Sequence, residues 1–376
     1  MPLTVGVLKE ALEGETRVAL TPEITAKLQK LGVSVLMERG AGEGSQLLDE
    51  EYVGVTLGDA DQVLAGCELL FTVQPPSAAI VEKLKDGATV TGIMHGHNNR
   101  ELVAALTRKN LTGFAMELIP RISRAQSMDV LSSQAAAAGY QSVLIAAMTL
   151  DKFFPMLTTA AGTIRPAQVL IIGAGVAGLQ AIATAKRLGA VVKAYDVRSA
   201  TKEQIQSLGA KFVETGVSAD GEGGYARELT DEEKAQQQAA LEKEISVSDV
   251  VISTAAIPGR PAPRIISAAA VAAMKPGAVI VDLAAETGGN CELTVAGETV
   301  VKHKVKIVGP TNLAAKLGRH ASEMYARNLF NFISPAIKDG ELNIDWDDEV
   351  FAKSALTRDG KITHEPTRTQ IEGGAA

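Results

Sequence analysis

Gly173, Gly175 and Gly178 stand directly after the apolar run QVLII and open the helical stretch GLQAIATAKRLG. A strand, a G-x-G-x-x-G turn and a helix start, in that order, make a cradle for phosphate. The first glycine permits a tight turn, the second lets a pyrophosphate approach the backbone, and the third lets helix and strand pack closely. The helix start then presents free N–H groups and the positive end of its dipole. Asp196 closes the next apolar run, VVKAYD, about 20 residues on, where a carboxylate accepts hydrogen bonds from ribose hydroxyls and repels a 2′-phosphate. The chemistry is dinucleotide binding; the alternative is a tight turn in a sheet without a ligand. Asp196 favours NAD, while Arg198, two residues further, is the feature that would suit NADP.

A second concentration of polar groups precedes this one. The stretch ELIPRISRAQSMDVL, residues 117 to 131, crowds Arg121, Arg124, Gln126, Ser127 and Asp129 between two apolar runs, a density that no soluble core needs. Asp129 and Ser132 are three positions apart and share a face on a helix. One reading is a helix start alone, with Ser127 as its cap, Asp129 favourable to the dipole, and Arg121 and Arg124 solvated. The other places the set at the reactive end of a nucleotide. An amide and a carboxylate beside a nicotinamide fix its carboxamide and ring, and hydride transfer between two nicotinamides needs no protein acid. Capping is expected of Ser127, and chemistry of the set as a whole.

The rest of the chain must supply the elements that hold these groups. LTVGVL, SVLMER, LLFTV, ATVTGIM and LTGFAME read as strands, with helical stretches at 22–31 and 99–110 between them. Residues 127 to 150, alanine-rich and without proline, predict a helix of roughly 35 Å that bridges two domains. After the connection TTAAGTIRPAQ come the strands VLIIG, VVKAYD, KFVE, DVVIST, AVIVDL and VKIVG. The run RHASEMYARNLFNFISPAIKDG predicts a second long helix that crosses back and leaves a polar C-terminal tail. The fold class is α/β, two domains of mostly parallel sheet joined by long helices, the first from residues 1–133 and 318–376 and the second from 134–317. The polar stretch 215–245 reads as a mobile lid carrying Tyr225 or as an insertion without function. STAAIPG and GPTN follow strands at the carboxyl edge, where nucleotides bind, although Pro258 and Pro310 also serve as ordinary strand terminators.

Composition limits the other answers. A chain of 376 residues exceeds one comfortable core, and 46% hydrophobic with 22% charged residues is ordinary for a globular protein. Aromatic residues at 4% and a net charge of −7 oppose a nucleic-acid partner. Cys67 and Cys291 are far apart and give no disulfide framework or metal spacing. His95 and His97 flank Gly96 without further ligands nearby, so relic or core histidines are expected and no metal. A cytoplasmic location is expected, because no run approaches the roughly 20 apolar residues that span a bilayer and the N-terminus has no secretory pattern.

Taken together, RISRAQSMD, GAGVAGLQAIATAKRLGAVV, YDVR, GGYA, IPGRPAP and GGNC resemble the NAD(H)-binding component, domain I or α subunit, of proton-translocating NAD(P) transhydrogenases. The resemblance covers nearly the whole chain; RISRAQSMD marks this family, and other motifs are shared with the related alanine dehydrogenases. It implies two Rossmann-like domains, a homodimer, and hydride exchange between NAD(H) held here and NADP(H) held by a partner component, coupled to proton movement through a membrane component. It implies that Arg121, Gln126, Asp129 and Ser132, with Ser127 and Met128 beside them, meet the nicotinamide. Gly173, Ala174, Gly175, Val176 and Gly178 would form the pyrophosphate turn, and Asp196, Val197 and Arg198 would hold the adenosine ribose. Gly224, Tyr225 and Gln237 would belong to a mobile loop, and Ala256 to a loop over the cofactor. Without a membrane run, a separate subunit peripheral on the inner face of the cytoplasmic membrane, or an excised domain, is expected.

Alanine dehydrogenases place an arginine, a lysine and a histidine on pyruvate, with an aspartate near the ribose. Arg17 and His95 match, but Gln74 stands at the lysine position and Glu286 at the aspartate position. A neutral amide cannot supply the missing charge, so amino-acid oxidation is not expected. A regulatory module sensing NAD(H) would carry the same nucleotide turn; the polar cluster at 117–131 favours chemistry, since a sensor has no need to orient the reactive ring.

Overall fold

The computed structural model describes residues 2–217, 229–256 and 261–373. They form two compact units: unit 1 comprises Met1–Gln134 and Ala314–Ala376, and unit 2 comprises Ala135–Leu313.

Unit 1 opens with β1 (Thr4–Val7), α1 (Pro22–Lys30), β2 (Ser34–Glu38), β3 (Thr56–Gly58) and α2 (Ala60–Gly66). It continues through β4 (Leu69–Phe71), α3 (Ala78–Lys83), β5 (Thr89–Gly92), α4 (Arg100–Arg108) and β6 (Thr112–Ala115). The helix starts are written in the sequence. Pro22 opens α1, where its missing N–H costs nothing, and Asp59, Ser77 and Asn99 each accept a backbone N–H at the start of α2, α3 and α4. Leu69 and Phe71 face one apolar cluster and Leu70 faces another, the two-residue period of a strand buried on both sides. α5 (Val130–Thr149) then runs from unit 1 into unit 2.

Unit 2 begins with a hairpin of β7 (Leu157–Thr159) and β8 (Gly162–Ile164), in the stretch that the sequence reads as a plain connection. Next come β9 (Gln168–Ile172), α6 (Val176–Arg187), β10 (Val191–Tyr195), α7 (Thr201–Ser207) and β11 (Lys211–Phe212). The remainder is α8 (Asp231–Val247), β12 (Val250–Ser253), α9 (Ala268–Ala272), β13 (Val279–Asp282), β14 (Thr299–Lys302) and β15 (Val305–Val308). The sheet order is β11-β10-β9-β12-β13-β15-β14, parallel except for β14, which lies antiparallel to β15. α8 carries a capping box of Thr230 and Glu233, and it buries Leu241 and Ile245.

The chain re-enters unit 1 with α10 (Gly318–Ile333). A short antiparallel pair, β16 (Ile337–Lys338) and β17 (Glu341–Leu342), follows, then α11 (Glu349–Ser354), β18 (Ala355–Arg358), β19 (Lys361–Ile362) and α12 (Glu365–Gly373). The expected polar tail is therefore built structure. β18 pairs antiparallel with β6 and extends the sheet to β19-β18-β6-β5-β4-β1-β2-β3. Phe114, Phe332 and Phe351 meet with ring centroids 5.1–5.8 Å apart, Trp346 stacks on Phe114 at 5.9 Å, and Arg358 lies 3.9 Å over Trp346. These rings hold residues 330–358 to the sheet, a tertiary cause that polar local composition conceals. The second long helix also stops earlier than expected, because Pro335 cannot continue it.

The first long helix starts at Val130, so Ser127 is not its cap. Residues Ser123–Met128 form a 3-10 turn whose Ala125 and Met128, three apart, are buried. The cap is Asp129, whose Oδ1 accepts the Ser132 N–H at 2.9 Å. The Ser127 carbonyl instead accepts the side-chain amides of Asn328 and Asn331 at 2.9 and 3.0 Å.

Candidate functional site

In an open parallel sheet a crevice forms beyond the carboxyl ends of the two strands where the winding reverses. In unit 2 those strands are β9 and β12, neighbours from which the chain winds away on either side. Gly173 leaves β9 with φ +94°, and a Cβ there would meet the Thr254 hydroxyl at 2.7 Å. A Cβ on Gly178 would lie 1.9 Å from the Gly173 carbonyl oxygen, so strand end and helix touch through backbone alone. Around Gly175 there is open space, and its side-chain-free position heads α6 with no side-chain cap on the first turn. Gly175 and Val176 are exposed, whereas Ala174 and Gly178 are buried. The first-turn N–H groups and the open space beside them fit the pyrophosphate of a dinucleotide.

Asp196 follows β10 with its side chain only 5% exposed. Oδ2 accepts the Ala174 N–H at 2.7 Å, which ties the acid to the glycine turn. Arg198 donates three times to the same carboxylate: its N–H at 2.9 Å and Nε at 2.8 Å to Oδ1, and Nη2 at 2.6 Å to Oδ2. The arginine that could serve a 2′-phosphate is thus already engaged by a carboxylate, which any phosphate would have to displace. Val197 is half-buried beside them. Gln237, on α8, donates to the Tyr195 hydroxyl at 2.7 Å, and Ala256 is exposed just beyond β12. Gly224 and Tyr225, and with them the core of the expected lid, lie outside the described residues.

In unit 1, Arg121, Gln126 and Ser127 are exposed, Met128 is buried and Asp129 and Ser132 are half-buried. The Ser132 hydroxyl donates to Asp129 Oδ2 at 2.6 Å, so this pair holds one rotamer. Arg124 forms a fork-to-fork pair with Asp348, one arm of it Nη1 to Oδ2 at 2.8 Å. Ser133 donates to Asn328 at 2.7 Å and Gln134 to the Ala321 carbonyl at 3.1 Å, stitching the first turn of α5 to α10. The structure therefore brings Asp129 and Ser132 together and leaves Arg121 and Gln126 exposed.

Unit 1 has its own reversal, between β1 and β4, and a cluster absent from the sequence reading fills it. The Glu15 carboxylate receives Arg17 Nε at 2.8 Å, Arg17 Nη2 at 2.7 Å and Gln74 Nε2 at 2.7 Å. Arg17 Nη1 donates to Gln134 at 2.9 Å, and the two charged side chains are 4% and 0% exposed. Glu10 accepts the Val73 N–H at 2.6 Å and the Gln74 N–H at 3.2 Å, joining the loops after the two strands. Burial pushes its carboxyl up to about 7, against those amides. Burial also acts to raise Glu15, but the hydrogen bonds and charge of Arg17 outweigh it and hold the carboxyl at about 2. Arg17, matched by resemblance to an oxo-acid ligand, is here an internal ion-pair partner. His95 is exposed with φ +47° rather than a core residue, and its N–H donates to Glu117 at 2.6 Å. Glu286 is exposed and accepts the Asn312 N–H at 2.8 Å. The signal for the cluster was the close spacing of Glu10, Glu15 and Arg17 directly after a strand. Among the described residues no group of three or more His, Cys, Asp or Glu could hold a metal ion, and no helix is long and apolar enough to cross a membrane.

The chain matches known proteins along its length. The alanine dehydrogenase/PNT N-terminal domain model matches residues 6–138 and the alanine dehydrogenase/PNT C-terminal domain model matches residues 142–365. An NAD(P) transhydrogenase subunit alpha of Rhodospirillum rubrum, named as the first part of that subunit, is 47% identical over 376 residues, covering 96% of this chain and 98% of its own. The crystal structure of transhydrogenase from Sinorhizobium meliloti superposes with a TM-score of 0.88 at 45% identity, over 96% of this chain and 99% of that one. The alanine dehydrogenase of Mycolicibacterium smegmatis is 27% identical over 380 residues, covering 98% of this chain and 97% of its own. The chain therefore belongs to the family of NAD(P) transhydrogenase α subunits, with alanine dehydrogenases as more distant relatives.

Proposed function

We propose that unit 2 binds NAD(H) at the Gly173 turn and that hydride passes between this nucleotide and NADP(H) held by a partner component, coupled to proton movement through a membrane component. The observation that carries the reading is the backbone contact of Gly178 with Gly173 beneath an uncapped α6, with Asp196 tied to Ala174. The α-subunit names of the relatives support the dependence on other components.

When bound, the nucleotide supplies or accepts the hydride. The chain's groups bind and orient. The first-turn N–H groups after Gly175 would take the pyrophosphate, and Asp196, with Val197 and Arg198 beside it, the adenosine ribose. Gln126 and Asp129 would fix the nicotinamide carboxamide, with Ser132 holding the Asp129 rotamer and Arg121 adding positive charge. Ser127, Met128, Gly224, Tyr225, Gln237 and Ala256 complete the proposed contacts. Hydride exchange leaves the protein no proton to move at these groups. We further propose a homodimer, peripheral on the inner face of the cytoplasmic membrane.

The test is activity in mixture. The purified chain should bind NADH yet exchange little hydride alone, and adding the NADP(H)-binding component with an NAD analogue should raise the rate sharply. Equal rates with and without that component contradict the reading, and oxidation of NADH by pyruvate plus ammonium would replace it with amino-acid chemistry.

A further inference from the structure

Asn290 belongs to no site assigned above, yet it is fully buried at the carboxyl edge of unit 2. Its side-chain amide uses its whole bonding capacity. Oδ1 accepts the Ser253 hydroxyl at 2.6 Å and the Ala255 N–H at 3.1 Å, while Nδ2 donates to the Ala255 carbonyl at 2.8 Å and the Pro263 carbonyl at 2.9 Å. Donor and acceptor of one side chain thus pair with the N–H and C=O of one residue, as a neighbouring strand would. The amide continues the ladder of β12 past its end.

Asn290 is itself held from behind. Gly288 and Gly289, at φ +102° and +81°, turn the chain so that the side chain points at Ala255, and a Cβ on Gly289 would lie 2.8 Å from the Asp282 carboxylate. That carboxylate, wholly buried, accepts the Cys291 N–H at 3.0 Å and the Thr294 hydroxyl at 2.7 Å. The Asn290 carbonyl accepts the N–H groups of Ile265 and Ile266 at 2.8 and 2.9 Å. In front, the segment it grips lies on the nucleotide turn. Thr254 donates its N–H to the Ile172 carbonyl at 2.8 Å and its hydroxyl to the Gly173 carbonyl at 3.1 Å. The Ala255 nitrogen would be 3.2 Å from a Cβ at Gly173.

We infer that Asn290 is a positioning residue: it holds Thr254–Ala256 against the Gly173 turn and so sets the affinity of unit 2 for a nicotinamide nucleotide. The affinity half of this inference rests on the reading given under Proposed function. The residue type is dictated. An aspartate has the same shape and keeps the acceptor for Ser253 and Ala255 N–H, but it turns an anionic oxygen on two carbonyls and has no proton to give them.

The experiment compares the unsubstituted chain with Asn290→Asp and the milder Asn290→Ser. NADH affinity is read by fluorescence quenching from pH 6 to 9, and amide hydrogen exchange is read along β12, Thr254–Ala256 and β13. Asn290→Asp should weaken NADH binding roughly 10- to 100-fold at pH 8, the scale of losing buried hydrogen bonds against a charge. Exchange should quicken at Ala255 but not within β12 or β13, and affinity should recover as pH falls, because the protonated carboxyl again donates. Asn290→Ser should give the same local quickening with a loss of a few fold. Unchanged Ala255 exchange in the serine variant overturns the inference, as does a loss of NADH affinity that shows no pH recovery and accompanies faster exchange throughout the sheet. If the unsubstituted chain binds no NADH, the proposed function falls with the affinity claim, and the exchange arm still decides whether Asn290 holds Thr254–Ala256.

Discussion

The two sheets reverse their winding in the same way and treat the resulting crevice in opposite ways. Between β1 and β4 the loops carry Glu10, Glu15, Arg17 and Gln74, and the chain's own charges occupy the place where a ligand would sit. Between β9 and β12 the loops carry Gly173, Gly175 and Thr254, and backbone N–H groups with open space are left in that place. The topology alone therefore decides where a site is allowed. Side chains decide whether it is sealed or kept.

The largest effect is expected at the sealed crevice. Glu15→Gln removes the carboxylate charge that faces the buried Arg17 guanidinium and should cost about 3–5 kcal/mol in denaturant unfolding, with NADH affinity of the folded chain nearly unchanged. A destabilisation under about 1 kcal/mol would mean that the pair contributes packing only. The open crevice should respond the other way. Gly178→Ala places a Cβ 1.9 Å from a backbone oxygen that cannot yield, so NADH affinity should fall at least about 30-fold, more than stability suffers.

Acidity sharpens the same contrast. The Glu10 carboxyl is raised from 4.5 to about 7, so its contribution to stability is fully present below pH 4.5 and is lost as pH rises through 7. The Glu15 carboxyl is lowered from 4.5 to about 2, so its contribution is present above pH 4.5 and is lost as pH falls toward 2. Glu10→Gln should remove the first loss, on the order of 2 kcal/mol between pH 5 and 8, seen as a flatter profile of melting temperature against pH. An identical profile in both chains would show that Glu10 does not titrate in that range.

How much of this the sequence revealed depends on how local each cause is. The Gly173 turn, Asp196 and the strands of both sheets announce themselves through spacing and period, because their geometry is set within a few residues. The start of α5 was misplaced by three residues, since Ala125 and Met128 turn into the core as a 3-10 turn and leave capping to Asp129. The C-terminal strands were missed because β18 owes its place to β6, some 240 residues away, and to the rings of Phe114, Phe332 and Phe351. Asn290 was visible only as one letter of GGNC, for its partners Ser253, Ala255 and Pro263 come from the end of β12 and the chain beyond it.

A smaller effect bears on the polar loop of unit 1. Gln126→Asn shortens an exposed amide proposed to meet the nicotinamide and not the adenosine, so hydride exchange with the partner component present should slow about 10-fold while NADH affinity moves less than about 3-fold. Equal losses in both would make Gln126 a binding group only.

On the proposed reading the open crevice of unit 2 holds an unphosphorylated dinucleotide, with Asp196 keeping Arg198 from a 2′-phosphate. Fluorescence titration of the purified chain with NADH and with NADPH tests it most directly. The account expects saturable NADH binding and NADPH affinity at least about 10-fold weaker; equal affinities, or tighter NADPH, would contradict it.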